Sequence, residues 1–408
     1  MKLIYCIIIT LLLLISCDVL TKINESDWEQ NSDEREDIIN DNTDYIYVVG
    51  FSNNGSNNDF NVLRYDSTGR FYDSHTFNGG YDDIAYAAVC DSIGNLYVTG
   101  SMGNDTDDDY LTIKYNRDMN IEWQRPYDNG GDDVARGIVV DNNNFIYVTG
   151  YSLVVGDYYV YHTIKYDQNR NIVTEIDTNV STAGDDYGTA IAIDKNTGYI
   201  YLTGYAYYNS YDYQTVKYDL NLVEIIRENW PRIYPDPSDL YIDRAYGIVV
   251  DSNDNIYVTG YSYNGIDNDF YTTKYDTNGN LITTDIWPRL YNSIYNDNDY
   301  AYGIAVDFND NIYVTGFSYN GIDNDFCTVK YNSSGYELWN RIYNDGADDQ
   351  AFAVAVDQQG FIYVAGTSQN TMNMDFLIIK YDTNGNIIWT RRFDSGYEDE
   401  ARGICIVN

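Results

Sequence analysis

Residues 255–270 read NIYVTGYSYNGIDNDF and residues 311–326 read NIYVTGFSYNGIDNDF. Near-identity over sixteen positions, 56 residues apart, marks a repeated unit. Aligning the chain on its IYVTG core gives Gly50, Gly100, Gly150, Gly204, Gly260, Gly316 and Gly366, spaced 50, 50, 54, 56, 56 and 50 residues apart. About fifteen residues beyond each glycine stands the tyrosine of a KYD-like stretch: Tyr65, Tyr115, Tyr166, Tyr218, Tyr275, Tyr331 and Tyr381. A third landmark follows, read ARGIVVD at 135–141, AYGIVVD at 245–251, AYGIAVD at 301–307, AFAVAVD at 351–357 and ARGICIV at 401–407. Periods of this length belong to propellers and related repeat architectures.

Each unit reads as four short strands. AYGIAVD is nearly continuous in apolar residues, as a strand buried on both faces must be. NIYVTGYS and DFYTTKYD alternate and are rich in β-branched and aromatic residues, and a weaker fourth strand carries LITTDIWPRLY or IIWTRRF. Asx- and Gly-rich turns such as DSNDN and DTNGN separate them. A four-stranded unit of about 50 residues cannot bury both faces alone, so seven pack around an axis as a seven-bladed β-propeller.

The repeat text resembles the bacterial SBBP-type β-propeller repeat, over about residues 45–408, and is distantly similar to NHL-type propellers, in which GIAVD forms the innermost strand. That resemblance implies the strand order. The ordered chain then begins on a second strand, YIYVVG, and ends on a first strand, ARGICIVN. The C-terminal strand is expected to pair beside Tyr45–Gly50 and close the ring, removing free sheet edges.

The ends and the charge bound the setting. Lys2 precedes an apolar run from Leu3 to Ile15, of signal-peptide length and too short to span a bilayer. The run ends Leu14-Ile15-Ser16-Cys17, which resembles a relaxed bacterial lipoprotein box. The resemblance implies a signal peptide at 1–16, a lipid on Cys17, an acidic tether over 17–44, and a propeller over 45–408 held outside the cytoplasm. The formal charge is −39, with 24 Lys+Arg against 63 Asp+Glu, which repels phosphate backbones and argues against nucleic acid. A monomer touching the membrane only through its lipid is expected. Cys90, Cys327 and Cys405 read as small buried apolar residues. Cys90 and Cys405 lie one register apart on equivalent strands, which directs them to opposite faces.

Acids recur before each innermost strand, including Asp132-Asp133 and Asp348-Asp349, and at the start of the third strand: Asp59, Asp109, Asp212, Asp269, Asp325 and Asp375. By propeller topology both sets lie on one face. They are weak Ca²⁺ candidates. The simpler expectation is that they cap turns and pair with the strand cation five residues on (Arg64, Lys114, Lys165, Lys217, Lys274, Lys330, Lys380). No other cofactor is expected. Trp123, Trp230, Trp287, Trp339 and Trp389 each precede an arginine by two residues, placing both on one face of a strand for cation–π packing.

Departures from the repeat carry more information. The third and fourth units hold Tyr158, Tyr159, Tyr205, Tyr207, Tyr208, Tyr211 and Tyr213, and the connections into the fifth and sixth innermost strands lengthen beside them. Aromatic, adaptable loops suit recognition of a protein or glycan. The only histidines, His75 and His162, fall at unrelated positions, so no catalytic triad or histidine metal site is legible. The expectation is a non-catalytic binding or scaffold module, with a carbohydrate-active enzyme and a calcium-stabilised adhesive module as alternatives.

Overall fold

The computed structural model describes residues 45–407, apart from 155–157, 180, 182–183, 227–228, 235–240, 285 and 371. The expected signal peptide, lipid-bearing Cys17 and tether lie outside the described residues.

Among the described residues there are 28 strands and no helix, arranged as seven four-stranded antiparallel sheets. Blade 1 is built from the first and last described segments of the chain. Its innermost strand is Asp399–Val407, paired with Tyr45–Asn53, then Asn58–Asp66 and Phe71–Phe77. The innermost strands of blades 2 to 7 are Asp83–Cys90, Asp133–Val140, Asp186–Ile193, Asp243–Val250, Asp299–Val306 and Asp349–Val356. The ring closes as the repeat phase requires. In blades 4 and 5 the outer strand shrinks to Arg232–Tyr234 and Arg289–Tyr291. Each begins just after a proline, Pro231 or Pro288, which has no N–H to offer a ladder.

Alternation in IYVTG feeds two cores at once. Ile256 and Val258 pack toward blade 4, while Tyr257 packs toward blade 6. The apolar side chains thus gather in seven clusters, each shared by consecutive blades. Tyrosine suits this position because its ring fills the core while its hydroxyl reaches a polar edge. Tyr257 Oη donates to Asp251 Oδ2 at 3.0 Å, and Tyr97, Tyr147, Tyr313 and Tyr363 repeat the bond to their own Asp.

The strand cations serve a different purpose from the one expected. Lys380 Nζ and Trp389 Nε1 both donate to the Ser67 carbonyl of the next blade, at 2.8 and 3.3 Å. Lys274 with Trp287 share the Ser333 carbonyl, Lys217 with Trp230 that of Thr277, and Lys330 with Trp339 that of Thr383. The third-strand acids do not pair with these cations. Five residues is an odd number, so the two side chains leave opposite faces, about 17 Å apart along the strand. The acids instead accept from asparagines of their own hairpin, as Asp269 does from Asn264 at 2.7 Å and Asp325 from Asn320 at 2.8 Å.

The cysteine expectation is also corrected. Cys90 and Cys405 form a disulfide, and among the described residues Cys327 is the one free cysteine, and it is buried. The offset of one register does send the two side chains to opposite faces of their own blades. Neighbouring blades, however, meet with opposite faces in contact, so the offset is what brings the two sulfurs together.

Candidate functional site

Every innermost strand contains one irregularity at the same place. In blade 5, Ala245 pairs with Gly260 and Gly247 with Thr259, leaving Tyr246 unpaired between them. The same shift occurs in all seven blades. It is a bulge, which kinks the strand and re-aims one side chain. Glycine of IYVTG makes it possible: a Cβ on Gly260 would lie 1.9 Å from the Arg244 carbonyl oxygen, and on Gly316 1.9 Å from that of Tyr300.

The re-aimed residues, one per blade, are Tyr86, Arg136, Thr189, Tyr246, Tyr302, Phe352 and Arg402. Together with Tyr151, Tyr187 and Tyr205 they line a cup of about 390 Å³. Tyr151, Tyr187 and Tyr205 form one wall, with successive ring centroids 5.0 and 5.1 Å apart. Arg136 lies over the Tyr86 ring at 3.8 Å and donates to Tyr151 Oη at 3.3 Å. Arg402 lies over Phe352 at 4.2 Å and pairs with Glu400. A second cavity of about 370 Å³ is lined by Tyr241, Ile242, Arg244, Tyr261, Tyr263 and Asn268. Arg244 bridges toward the cup, 4.9 Å over the Tyr205 ring, and Tyr246 lies 6.0 Å from both Tyr205 and Tyr261.

The expected tyrosines divide. Tyr205 lines the cup. Tyr211 packs beside it at 5.3 Å, and Tyr207, partly exposed, packs edge-on against Tyr211. Tyr158 is half exposed; Tyr159 donates to Asp132 Oδ2 at 2.9 Å and packs on Tyr151 and Tyr187. Tyr208 is half-buried, donates to Gln214 Oε1 at 3.3 Å, and burial raises its hydroxyl to about 12. Tyr213 is a correction: it is buried and donates to the Tyr271 carbonyl at 3.1 Å, because its place on the third strand faces the neighbouring blade. The ring of seven was missed. Its signal was weak: the middle position of ARG, AYG, AYA, GTA and AFA varies among the innermost strands, but so does the position two residues before it, held by Ile84, Val134, Tyr187, Arg244, Tyr300, Gln350 and Glu400.

The acids before the innermost strands do meet the third-strand hairpins. Asp132 and Asp348 accept hydrogen bonds from the backbone N–H groups of Asp108 and Asn324, at 3.4 and 3.0 Å. Asp133 and Asp349 are fully buried, each accepting a backbone N–H, from Asn129 at 2.7 Å and from Asp345 at 3.1 Å. Burial raises Asp83, Asp109 and Asp299 to about 6. Carboxylate oxygens of Asp109, Asp128 and Asp133 approach within 4.8 Å of one another, as do those of Asp375, Asp394 and Asp399. In the latter group Arg392 supplies a cation 2.9 Å from Asp375.

These features define a seven-bladed propeller with an aromatic cup on its axis. A profile of the SBBP β-propeller repeat matches residues 128–157, 239–267, 286–323 and 344–371. No curated protein is significantly similar in sequence. Among solved structures, the periplasmic gluconolactonase PpgL of Pseudomonas aeruginosa is similar with a TM-score of 0.58 at 12% identity, over 90% of this chain and 99% of that one. A candidate 6-phosphogluconolactonase from Bacteroides uniformis is similar with a TM-score of 0.53 at 10% identity, over 90% and 99%. At such identities the likeness is one of fold.

Proposed function

We propose that this protein is a non-catalytic binding module of the bacterial cell envelope, held by a lipid on Cys17, and that its ligand sits in the axial cup. The observation that carries the reading is the ring of seven bulge residues. A scaffold needs nothing on the axis, yet each blade bends its innermost strand to place one side chain there, and five of the seven are aromatic or threonine and two are arginine. Concave sites with a few convergent polar groups are where small ligands bind. Tyr187 and Tyr205 are the wall residues that a ligand would cover. The test is binding of a glycan array by the protein and by its Tyr205→Ala and Tyr187→Ala variants, with melting curves to verify folding. Loss of binding in folded variants supports the cup; unchanged binding removes it.

A carbohydrate-active enzyme on the same face is the second reading, brought by the two lactonase folds. The described lining of the cup offers tyrosine, arginine, threonine and phenylalanine but no carboxylate or imidazole to serve as a general base, which favours binding without turnover. A lactone-hydrolysis and reducing-end assay on any bound glycan separates the two.

A further inference from the structure

The geometry points to a short acidic oligosaccharide, carrying carboxylates at intervals along the chain, as the occupant of the cup and of the cavity beside it. This rests on the cup being the binding site. The chain carries 24 Lys+Arg against 63 Asp+Glu, and five of its strand lysines are committed to carbonyls of neighbouring blades. Against that background three arginines stand at this one place.

Arg136 has no carboxylate partner among the described residues. Its guanidinium lies flat on Tyr86, and its hydrogen bond goes to the Tyr151 hydroxyl. A guanidinium has five N–H donors in a planar fork that matches a carboxylate edge-on. Arg244, between the two cavities, lies over Tyr205 and Tyr211, and its Nε is buried without a hydrogen-bond partner. Arg402 is half-committed to Glu400, and its Nε is likewise unpartnered. Stacking on aromatic faces holds a guanidinium in place while leaving its in-plane donors free.

The remaining features select a sugar chain. Two cavities of about 390 and 370 Å³ are neighbours, with the rings of Tyr205 and Tyr246 lining the first and packing toward Tyr261 of the second. Each is at the small end of ligand pockets, which run roughly 300–1,000 Å³. Two in tandem, each with its own arginine, fit a chain of rings rather than one compact ligand. Tyrosine walls offer flat apolar faces for rings and hydroxyls for their substituents. A dense polyanion such as nucleic acid is repelled by the charge of −39; one carboxylate per sugar ring is a sparser charge that local guanidiniums can match.

The test is calorimetric titration of the full chain with tetragalacturonate, its fully methyl-esterified form, and tetraglutamate. The acid is expected to bind at least about ten-fold more tightly than the ester, since a charge-assisted bond contributes roughly 1.5–3 kcal/mol. Arg136→Met and Arg244→Met should each weaken the acid about ten- to hundred-fold. Arg136→Lys, which keeps the charge but not the fork, should recover only part of the loss. Melting curves identify any variant that fails to fold. Equal binding of acid and ester, tighter binding of tetraglutamate, or no binding of the acid overturns the inference. If acid and ester bind equally and Tyr205→Ala abolishes both, the cup stands and only the anion requirement falls. If Tyr205→Ala binds as the parent does, the cup itself is not the site.

Discussion

Cys90 and Cys405, 315 positions apart in sequence, are bonded across the seam between blades 2 and 1 with Cα atoms 6.3 Å apart. The bond sits beside the junction where the first and last described strands pair, and it therefore ties the closing strand to the neighbouring blade. In the chain-entropy account a cross-link stabilises by restricting the unfolded chain, more so for longer loops, with typical values of about 2–4 kcal/mol. Cys405→Ser should lower the melting temperature by several degrees, and added reductant should lower the parent to the same value. A parent insensitive to reductant under denaturing conditions would show that the bond contributes nothing.

The closing strand makes a related prediction. Deleting residues 401–408 removes most of the partner of Tyr45–Asn53 and uncovers Tyr47 and Val49, both fully buried. The truncated protein should unfold over a broad range in calorimetry, with a van't Hoff enthalpy well below the calorimetric one. It should also aggregate through the exposed edge. A single sharp transition at the parent temperature would contradict this closure.

Bulges and glycines are coupled. Gly260→Ala would put a Cβ 1.9 Å from the Arg244 carbonyl oxygen, a backbone atom that cannot swing aside. The substitution should cost about 3 kcal/mol or more, in the range reserved for strain and overpacking. It should also disturb Tyr246, the bulge residue beside it, and so weaken ligand binding beyond the stability loss. Measurement of both in the same variant checks the coupling. As a control, Gly265→Ala at a hairpin with positive φ should cost only about 1 kcal/mol, since its nearest neighbour is the Tyr241 hydroxyl at 3.7 Å.

The fold was legible because it is written seven times. Repetition converts a weak local pattern into a period, and the phase of that period at the two ends, YIYVVG first and ARGICIV last, foretells ring closure. The site was only half legible. Tyr205 and Tyr211 were singled out with the aromatic cluster of the fourth unit, although Tyr205 itself holds the position after the IYVTG glycine, as Tyr151 and Tyr261 do in their units. Arg136, Tyr246 and Arg402 sit within the most regular strand, where period-two reading assigns them simply to one face. Only the bulge turns them to the axis, and a bulge depends on a pairing register that no single strand reveals. The cysteine pair and the lysine contacts failed for a kindred reason. Both follow from how one blade lies on the next, whereas strand alternation describes one blade at a time.

The buried acids give the protein an unusual pH response. Asp83, Asp109 and Asp299 have an ordinary carboxyl value of 3.8, raised to about 6 in the fold by burial. Burial likewise raises Asp133, Asp349, Asp375 and Asp399. A carboxyl whose folded value is raised binds more protons in the native state than in the unfolded chain between the two values, so stability falls as pH rises through that window. Its stabilising contribution is fully present below about pH 4 and is lost by about pH 7. Relief of the mutual repulsion behind a charge of −39 acts in the same direction. Asp167 and Asp382, exposed and lowered by hydrogen bonds from Asn171 and Asn386, act oppositely but only below the ordinary carboxyl range. The melting temperature should therefore rise by several degrees between pH 8 and pH 5. Asp299→Asn, which keeps the shape of a residue accepting the Ser293 N–H at 2.7 Å, should melt higher than the parent at pH 8 and show a flatter dependence below it. Differential scanning fluorimetry across pH 4–8 reads both. A melting temperature that falls steadily from pH 8 to pH 5 would mean that these carboxylates are stabilised as anions in the fold, by a bound cation or by water, and not penalised by burial.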